Sequence, residues 1–266
     1  MKIAIHQSTI CFEHKEMNIS NAEEAIKTAS RERANLIVFP EMSFTGFSMN
    51  IERTGENEPE TVSIMMQMAE KYQINIGFGW VKLVTLSEVL KGENHYTIVS
   101  PGREILLDYV KCHPFSYAKE DKYFVSGNQI SFCKIDDFIV SVAICYDLRF
   151  PELFQMESKT AQLILVPANW PEARRDHWRA LLKARAIENQ CYIVGVNCTG
   201  RIQDQTYVGD SCIINPNGEM ILEMSAEHEL GMYEIKNNVA WYQDSFPMKS
   251  DRRESFYQYL FMKDHP

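Results

Sequence analysis

The sequence of 266 residues lacks any apolar run of about 18 residues, the length that a membrane-spanning helix requires. Its opening stretch, MKIAIHQSTI, also lacks the pattern of a cleavable export signal, because His6 and Gln7 interrupt a short apolar segment. Basic residues are in deficit, since 27 Lys and Arg stand against 36 Asp and Glu for a net charge of −9. The phosphates of nucleic acids and of anionic lipids would repel such a chain. We therefore expect a cytoplasmic protein without nucleic-acid or membrane partners.

Closely spaced cysteine pairs are absent as well. The seven cysteines are scattered, and no two have the C-x-x-C spacing of a zinc knuckle or a redox dithiol. In a cytoplasm such cysteines are expected to be reduced thiols. Hydrophobic residues make up 45% of the sequence and charged residues 24%, which is typical of a globular protein with a large core.

Apolar runs of strand character alternate with amphipathic runs of helical character. Strands are predicted at KIAIHQ, NLIVFP, INIGFGWV, 96–99, 105–110, 138–144, QLILVPA, CYIVGVN and LGMYEI. Helices are predicted over 18–33, 60–72 and 173–189 and from Pro151 onward. The alternation indicates an α/β protein, and the turn residues of SPGRE and NPNG predict hairpins that make the sheets mixed. The length fits one domain over 1–266 with two sheets and outer helices.

Two segments depart from that pattern. The glycines of INIGFGWV indicate a bulge or the close approach of another backbone. Residues 111–128 have no clear periodicity and are predicted to form a long loop, which in a compact domain is usually functional.

Three chemically complementary side chains follow three predicted strands. Glu41 follows LIVFP, Lys111 follows EILLDYV and Cys145 follows FIVSVAI. In α/β sheets ligands bind beyond the carboxyl ends of strands. A thiol attacks only as a thiolate, so a base and a cation are the groups that Cys145 would need. Taken singly, each residue has a structural interpretation as a core cysteine, a solvated loop acid or a surface lysine.

The motifs around these residues resemble the nitrilase superfamily of carbon–nitrogen hydrolases. They are FPEMSFTGF, VKCHPF, ICYDLRFPELF, PANWP, HWRALLKARAIENQCYIVGVNCTG and GDSCIINPNGE, in this order. The resemblance implies an αββα sandwich of two mixed β-sheets flanked by helices, commonly assembled as a homodimer. The reaction that the resemblance implies requires neither a metal nor an organic cofactor.

The resemblance also implies roles for single residues. The Glu–Lys–Cys triad of the family falls on Glu41, Lys111 and Cys145, with Glu41 as general base and Cys145 as the nucleophile of a thioester intermediate. Lys111 and the backbone N–H of Tyr146 would bind the oxyanion. A further glutamate of the loop after the lysine falls on Glu120, where it would position the substrate or assist proton transfer. Asp121 is the neighbouring candidate for that position.

The residues beside Cys145 favour the amidase branches, because Tyr146 and Asp147 stand where true nitrilases typically have Trp-Glu. CYDLRFPELF with ANWP most resembles the ω-amidases, which hydrolyse the terminal amide of 2-oxoglutaramate and 2-oxosuccinamate. Such substrates carry a carboxylate that a cation should meet. Arg149 is one candidate for that cation, and it equally fits a salt bridge to Asp147 or Glu152 that braces the turn. Two further candidates are Arg174 and Arg175.

Other candidates for substrate contact come from two motifs. Asn169 and Trp170 follow a fourth strand, LILVPA, so Asn169 could hydrogen-bond the substrate and Trp170 could wall the pocket. Phe47, in SFTGF, is a candidate to line the acyl pocket. For both aromatic residues, plain packing is the alternative.

The C-terminal tail over 237–266 carries several aromatic residues that would be costly to leave in water, so we expect it at a subunit interface with the helix over 173–189. Three alternative functions stay open at this point. They are an N-carbamoyl hydrolase, a non-catalytic binding protein on the same fold, and a thiol redox sensor. The carbamoylase branch usually has Asn-Asp after the cysteine, which this chain lacks.

Overall fold

The computed structural model describes residues 1–263. Its strands are β1 (Lys2–His6), β2 (Leu36–Val38), β3 (Asn75–Leu86), β4 (Val89–Val99), β5 (Ile105–Val110), β6 (Phe132–Ile135), β7 (Phe138–Val142), β8 (Leu163–Ala168), β9 (Tyr192–Asn197), β10 (Thr199–Ile202), β11 (Gln205–Val208), β12 (Cys212–Ile214), β13 (Met220–Glu223) and β14 (Leu230–Glu234). Its helices are α1 (Lys15–Arg31), α2 (Ile51–Thr54), α3 (Glu60–Tyr72), α4 (Glu120–Tyr123), α5 (Pro151–Glu157), α6 (Arg175–Asn189), α7 (Val239–Ser245) and α8 (Glu254–Met262).

The strands form two mixed six-stranded sheets. The first has the order β14-β1-β2-β3-β4-β5 and the second the order β13-β12-β9-β8-β7-β6, while β10 and β11 form a separate hairpin. In the first sheet, β1, β2 and β3 are parallel, and β4 and β5 follow as antiparallel neighbours. Strand β5 therefore runs in the same direction as β2, and the two strands end at the same edge. In the second sheet, β7, β8 and β9 are parallel.

The inner faces of both sheets share one apolar core, to which Ile5, Val38 and Ile98 contribute from one sheet and Val140 and Leu163 from the other. A second core lies between the outer face of the first sheet and helices α1 and α3. Strand β8 is buried along its whole length, as expected for a strand covered on both faces. The αββα sandwich expected from the sequence is confirmed.

The structure contains elements that the sequence pattern does not predict. Strands β3 and β4 form a long hairpin whose turn is Ser87 and Glu88, with φ of 48° and 66°. Such turns usually contain Asn or Gly, and neither residue is present here to reveal the turn. Strand β6 and the β10–β11 hairpin are also additional, and the predicted loop over 111–128 contains a 3₁₀ turn at Ser116–Ala118 and helix α4.

The C-terminal tail forms helices α7 and α8 and packs on its own chain. Lys249 donates to the backbone carbonyl of Ser158, and Arg252 donates to that of Glu188 at 2.7 Å. These cations satisfy carbonyl groups at the C-terminal ends of α5 and α6, where positive charge is favourable. None of the helices within residues 1–263 is long and apolar enough to cross a lipid bilayer.

Candidate active site

Two carboxylates and one ammonium group meet, fully buried, beyond the edge of the first sheet at which β2 and β5 end. Glu41 lies beyond β2, Lys111 directly follows β5, and Glu120 begins α4. Lys111 Nζ donates to Glu41 Oε1 at 2.7 Å and to Glu120 Oε2 at 2.9 Å. All three side chains are at most 1% exposed. The structure thus brings the predicted acids and lysine together. Of the two candidates in the loop, Glu120 contacts Lys111, whereas the side chain of Asp121 is exposed beside Lys122.

Cys145 opens a 3₁₀ turn, Cys145–Arg149, shortly after β7 ends. Its φ is +48°, a left-handed conformation that costs a residue with a side chain about 1–3 kcal/mol. The thiol Sγ lies 4.0 Å from the backbone carbonyl oxygen of Asn169, which follows β8. This turn holds the sulfur beyond the carboxyl end of the second sheet, facing the site at the edge of the first.

Asp147 braces the turn that carries Cys145. Its carboxylate accepts hydrogen bonds from the backbone N–H of Ile144 and of His113, both at 2.9 Å, and from the hydroxyl of Tyr109 at 2.8 Å. His113 Nδ1 lies 2.7 Å from the same carboxylate. Several donors from outside the turn therefore fix the strained backbone at the cysteine.

Arg149 does not brace that turn. Its guanidinium lies 3.4 Å from His177 Nδ1 and within residues 1–263 pairs with no carboxylate, so the structure does not show the alternative salt bridge to Asp147 or Glu152. The Asp147 carboxylate already accepts hydrogen bonds from the backbone N–H of Ile144 and the hydroxyl of Tyr109. The Arg149 guanidinium instead lies 4.8 Å from the ring centroid of Trp170, on the wall of a cavity.

Asn94, in the middle of β4, is a site residue that the sequence does not reveal. Its Nδ2 donates to Glu41 Oε1 at 2.9 Å and to Glu120 Oε1 at 3.1 Å. One side-chain amide therefore donates to both carboxylates that also accept from Lys111. The available signal is weak, because a polar residue between apolar ones in a strand is more often solvent-exposed.

Gly79 of β3 permits the close approach of the Glu41 segment. A Cβ atom at this position would lie 2.4 Å from the backbone nitrogen of Met42 and 3.0 Å from the carbonyl carbon of Glu41. Real Cβ atoms do not come so close to backbone, so only glycine fits. The close approach that the glycines of INIGFGWV indicate is confirmed, and it sets the position of the carboxylate.

Burial and charge set the proton affinities of the site. Burial, and then the negative charge of Glu41, raise the pKa of the Cys145 thiol well above its usual range, although Lys111 opposes them. Burial alone would lower the pKa of Lys111, but the carboxylates of Glu120 and Glu41 reverse this and raise it. Burial raises the pKa of Glu120 against the opposing effect of Lys111. These shifts favour a neutral Cys145 thiol beside a protonated Lys111 in the site without substrate.

A neutral thiol needs a proton acceptor before it can attack an electrophile. Glu41 is the neighbouring carboxylate, and within the described residues its Oε2 accepts only the backbone N–H of Asn169, at 3.1 Å. The arrangement can therefore deprotonate a thiol, and Lys111 can stabilise negative charge next to it. Tyr146, in the first turn of the 3₁₀ segment, has a backbone N–H without an intrahelical acceptor, and it can add a second donor.

A cavity of about 390 Å³ opens onto Cys145. Its lining includes the predicted residues Phe47, Arg149, Asn169 and Trp170, together with Arg174 and the unpredicted Gln205 and Tyr207 of β11. Arg175, in contrast, lies outside this lining and pairs with Asp210, with Nη2 and Oδ1 2.8 Å apart.

The cavity wall combines cations with aromatic rings. The Arg174 guanidinium lies 5.4 Å from the ring centroid of Phe115 and 5.7 Å from that of Tyr117. Burial lowers the pKa of Arg149, and the positive charge of Arg174 acts in the same direction. No Asp or Glu is among the described residues that line this cavity, so it is a cationic pocket in an acidic protein.

Asn169 lines the cavity, but both ends of its side-chain amide bond within the protein. Its Nδ2 donates to the backbone carbonyl of Glu41 at 2.6 Å, and its Oδ1 lies 3.3 Å from the thiol of Cys198. The amide thus holds the Glu41 backbone, and a direct contact to a ligand stays a prediction.

Comparisons with known proteins identify the family of this chain. The carbon-nitrogen hydrolase family matches residues 2–241. The chain is 32% identical over 259 residues to the 2-oxoglutaramate amidase of Bacillus subtilis (strain 168), covering 96% of this chain and 98% of that protein. It is 34% identical over 227 residues to omega-amidase YafV of Escherichia coli (strain K12), covering 83% and 85%.

A solved structure supports the fold. The crystal structure of a CN-hydrolase superfamily protein from Xanthomonas campestris has a TM-score of 0.86 and 24% identity, and the match covers 95% of this chain and 97% of that one. The chain belongs to the carbon-nitrogen hydrolase family, and it is a hydrolase of carbon–nitrogen bonds.

Proposed function

We propose that this hydrolase is a cysteine amidase that releases ammonia from a small amide bearing a carboxylate, in the manner of an ω-amidase. The observation that carries the proposal is the convergence of Glu41, Lys111 and Glu120 at 2.7–2.9 Å beside the cationic pocket that Cys145 faces. The names of the two relatives above support the substrate class.

The first half of the reaction forms a thioester. Glu41 takes the proton of the Cys145 thiol, and Sγ attacks the carbonyl carbon of the amide. The oxygen becomes an oxyanion, to which Lys111 and the backbone N–H of Tyr146 donate hydrogen bonds. When the oxyanion collapses, the C–N bond breaks, and Glu41 gives its proton to the departing nitrogen, which leaves as ammonia.

The second half hydrolyses the thioester. Glu41 now takes a proton from a water molecule, whose oxygen attacks the thioester carbon. The same two donors stabilise the second oxyanion, the C–S bond breaks, and the thiolate of Cys145 recovers its proton from Glu41. Glu120 keeps Lys111 in place between two carboxylates throughout, and the product is a carboxylic acid.

The two arginines of the pocket support a substrate with a carboxylate. Neither Arg149 nor Arg174 has a carboxylate partner within residues 1–263, and both guanidinium groups lie against aromatic rings. A substrate carboxylate would neutralise this pair of like charges through charge-assisted hydrogen bonds. We assign Phe47 and Trp170 to the walls of the acyl pocket.

Ammonia release from a panel of compounds tests the function directly. The panel contains 2-oxoglutaramate, 2-oxosuccinamate, glutamine, asparagine, an N-carbamoyl amino acid and a simple nitrile. We expect the highest kcat/KM for the two 2-oxo acid amides. Turnover of the carbamoyl compound alone would establish the carbamoylase alternative, and turnover of the nitrile alone would contradict the substrate class. No turnover of any compound would favour a binding protein on the same fold.

Replacing either pocket arginine by glutamine is expected to weaken binding of carboxylated amides selectively. Because a hydrogen bond to a charged group contributes about 1.5–3 kcal/mol, KM for 2-oxoglutaramate should rise by roughly 10- to 100-fold in Arg149→Gln and in Arg174→Gln. The KM for an amide without a carboxylate, such as propionamide, should change far less. Arg175→Gln is the matched control, since this neighbour points to Asp210. Equal losses for both substrates would contradict the assignment.

We also propose a homodimer in which the tail takes part, together with helix α6, and a cytoplasmic location suited to seven free thiols. Trp241, Phe246 and Phe261 expose 64%, 66% and 80% of their surfaces although the tail packs on its own chain. Residues 264–266 of the predicted interface segment lie outside the described residues. The molar mass in solution, measured by light scattering, decides between one and two chains of 30.9 kDa.

A further inference from the structure

Cys198 is a buried thiol that the proposed reaction does not use. It lies between β9 and β10, in the NCTG motif, and its side chain is fully buried beside Ile10, Ile202 and Tyr207. Its Sγ lies 3.3 Å from Asn169 Oδ1, a short distance for a hydrogen bond to sulfur. Packing would explain an apolar residue here, but packing alone does not require a donor.

Asn169 holds Glu41 at two points. Its Nδ2 donates to the backbone carbonyl of Glu41 at 2.6 Å, and its backbone N–H donates to Glu41 Oε2 at 3.1 Å. The backbone carbonyl of Asn169 also faces the sulfur of Cys145 at 4.0 Å. The position of this one residue therefore affects both the base and the nucleophile.

The orientation of the Asn169 amide follows from donor and acceptor counting. A backbone carbonyl can only accept, so the NH₂ end must face Glu41 and the oxygen end must face Cys198. Within residues 1–263, the Cys198 thiol is the donor to that oxygen. Without it, a buried amide oxygen would lose its partner, and the contact that holds the Glu41 backbone would weaken with it.

We propose that Cys198 is a positioning residue for the reaction, which acts by donating its thiol proton to Asn169 Oδ1 and thereby fixes Glu41 beside Cys145. This inference rests on the proposed roles of Glu41 and Cys145, and it is independent of which amide is the substrate. The sulfur itself remains chemically unchanged during turnover.

The test compares Cys198→Ala, which removes the donor, with Cys198→Ser, which keeps a hydroxyl donor. We expect kcat to fall by about tenfold in Cys198→Ala with KM within about twofold, because the defect lies in the base rather than in the pocket. Cys198→Ser should recover most of the loss. Cys191→Ala is the matched control, because Cys191 is equally buried but its thiol makes no hydrogen bond within residues 1–263, and the substitution should lower stability without lowering kcat.

A second readout separates this inference from the choice of substrate. Alkylation of Cys145 by iodoacetamide at neutral pH, followed by mass spectrometry of its peptide, measures how well Glu41 activates the thiol. The rate should fall in Cys198→Ala in parallel with kcat and recover in Cys198→Ser. An unchanged alkylation rate in Cys198→Ala, an equal loss in Cys191→Ala, or a failure of serine to restore the rate would each overturn the proposal.

Discussion

Replacing Cys145 by alanine is expected to abolish ammonia release, lowering kcat by at least about 10⁴-fold, because the thioester cannot form. The protein should stay folded, since the substitution removes one atom from a side chain that faces the cavity. Cys145→Ser should also be severely impaired. Burial, and then the charge of Glu41, raise the pKa of the Cys145 thiol, and a hydroxyl is a still weaker acid that depends more on a proton acceptor.

Cys133→Ala is the matched control for this substitution, because Cys133 and Cys145 are both 9% exposed. It should retain full turnover with a similar change in the urea midpoint. Acid quenching during turnover offers a direct test of the intermediate, since intact-mass analysis should show the acyl group on the wild-type chain and none on Cys145→Ala. Ammonia release by a folded Cys145→Ala protein would show that another group performs the attack.

The three central residues of the candidate site are predictable because of where they lie along the chain. Glu41, Lys111 and Cys145 each follow an apolar strand, and strands that run in one direction end at one edge of a sheet. Burial of those strands makes the runs continuous and easy to find. The motifs around them then resemble one family, and the αββα fold follows from that resemblance.

The contacts that orient these residues are not predictable in the same way. Asp147 accepts hydrogen bonds from His113 and Tyr109, which are 34 and 38 residues away in sequence. Asn94 reaches Glu41 because β3 and β4 pair across the turn at Ser87 and Glu88, which has no glycine or asparagine to mark it. Such contacts depend on register and on close backbone approach, which the periodicity of one strand does not determine.

The two interpretations of Arg149 could not be separated from the sequence for the same reason. Sequence neighbours suggested a salt bridge within the turn, but the turn directs the Asp147 carboxylate inward to N–H and hydroxyl donors. The arginine is left on the cavity wall against Trp170. Proximity in sequence could not decide between the two interpretations, because the donors to Asp147 come from distant segments of the chain.

Replacing Lys111 by methionine is expected to damage both stability and activity. The ammonium group is 1% exposed between two fully buried carboxylates, so its removal leaves two like charges without a countercharge. Removing one member of a buried ion pair typically costs about 3–5 kcal/mol, and losing an oxyanion donor lowers kcat by about 10²–10³-fold. Urea denaturation and ammonia release measure the two effects separately.

The stability loss in Lys111→Met should depend on pH with a defined sign. Lys111 lowers the pKa of Glu120, which burial raises, so its removal raises that pKa further. A folded state that binds a proton more tightly than the unfolded chain gains stability as the pH falls. The deficit relative to wild type should therefore shrink as the pH falls from about 8 to about 5, toward the ordinary pKa of glutamate.

Adding Glu120→Gln to Lys111→Met should likewise restore stability by removing one of the two charges, while kcat stays low because the oxyanion donor is still absent. A Lys111→Met protein as stable as wild type at pH 8, or a double variant that regains turnover, would contradict the electrostatic role assigned to this lysine.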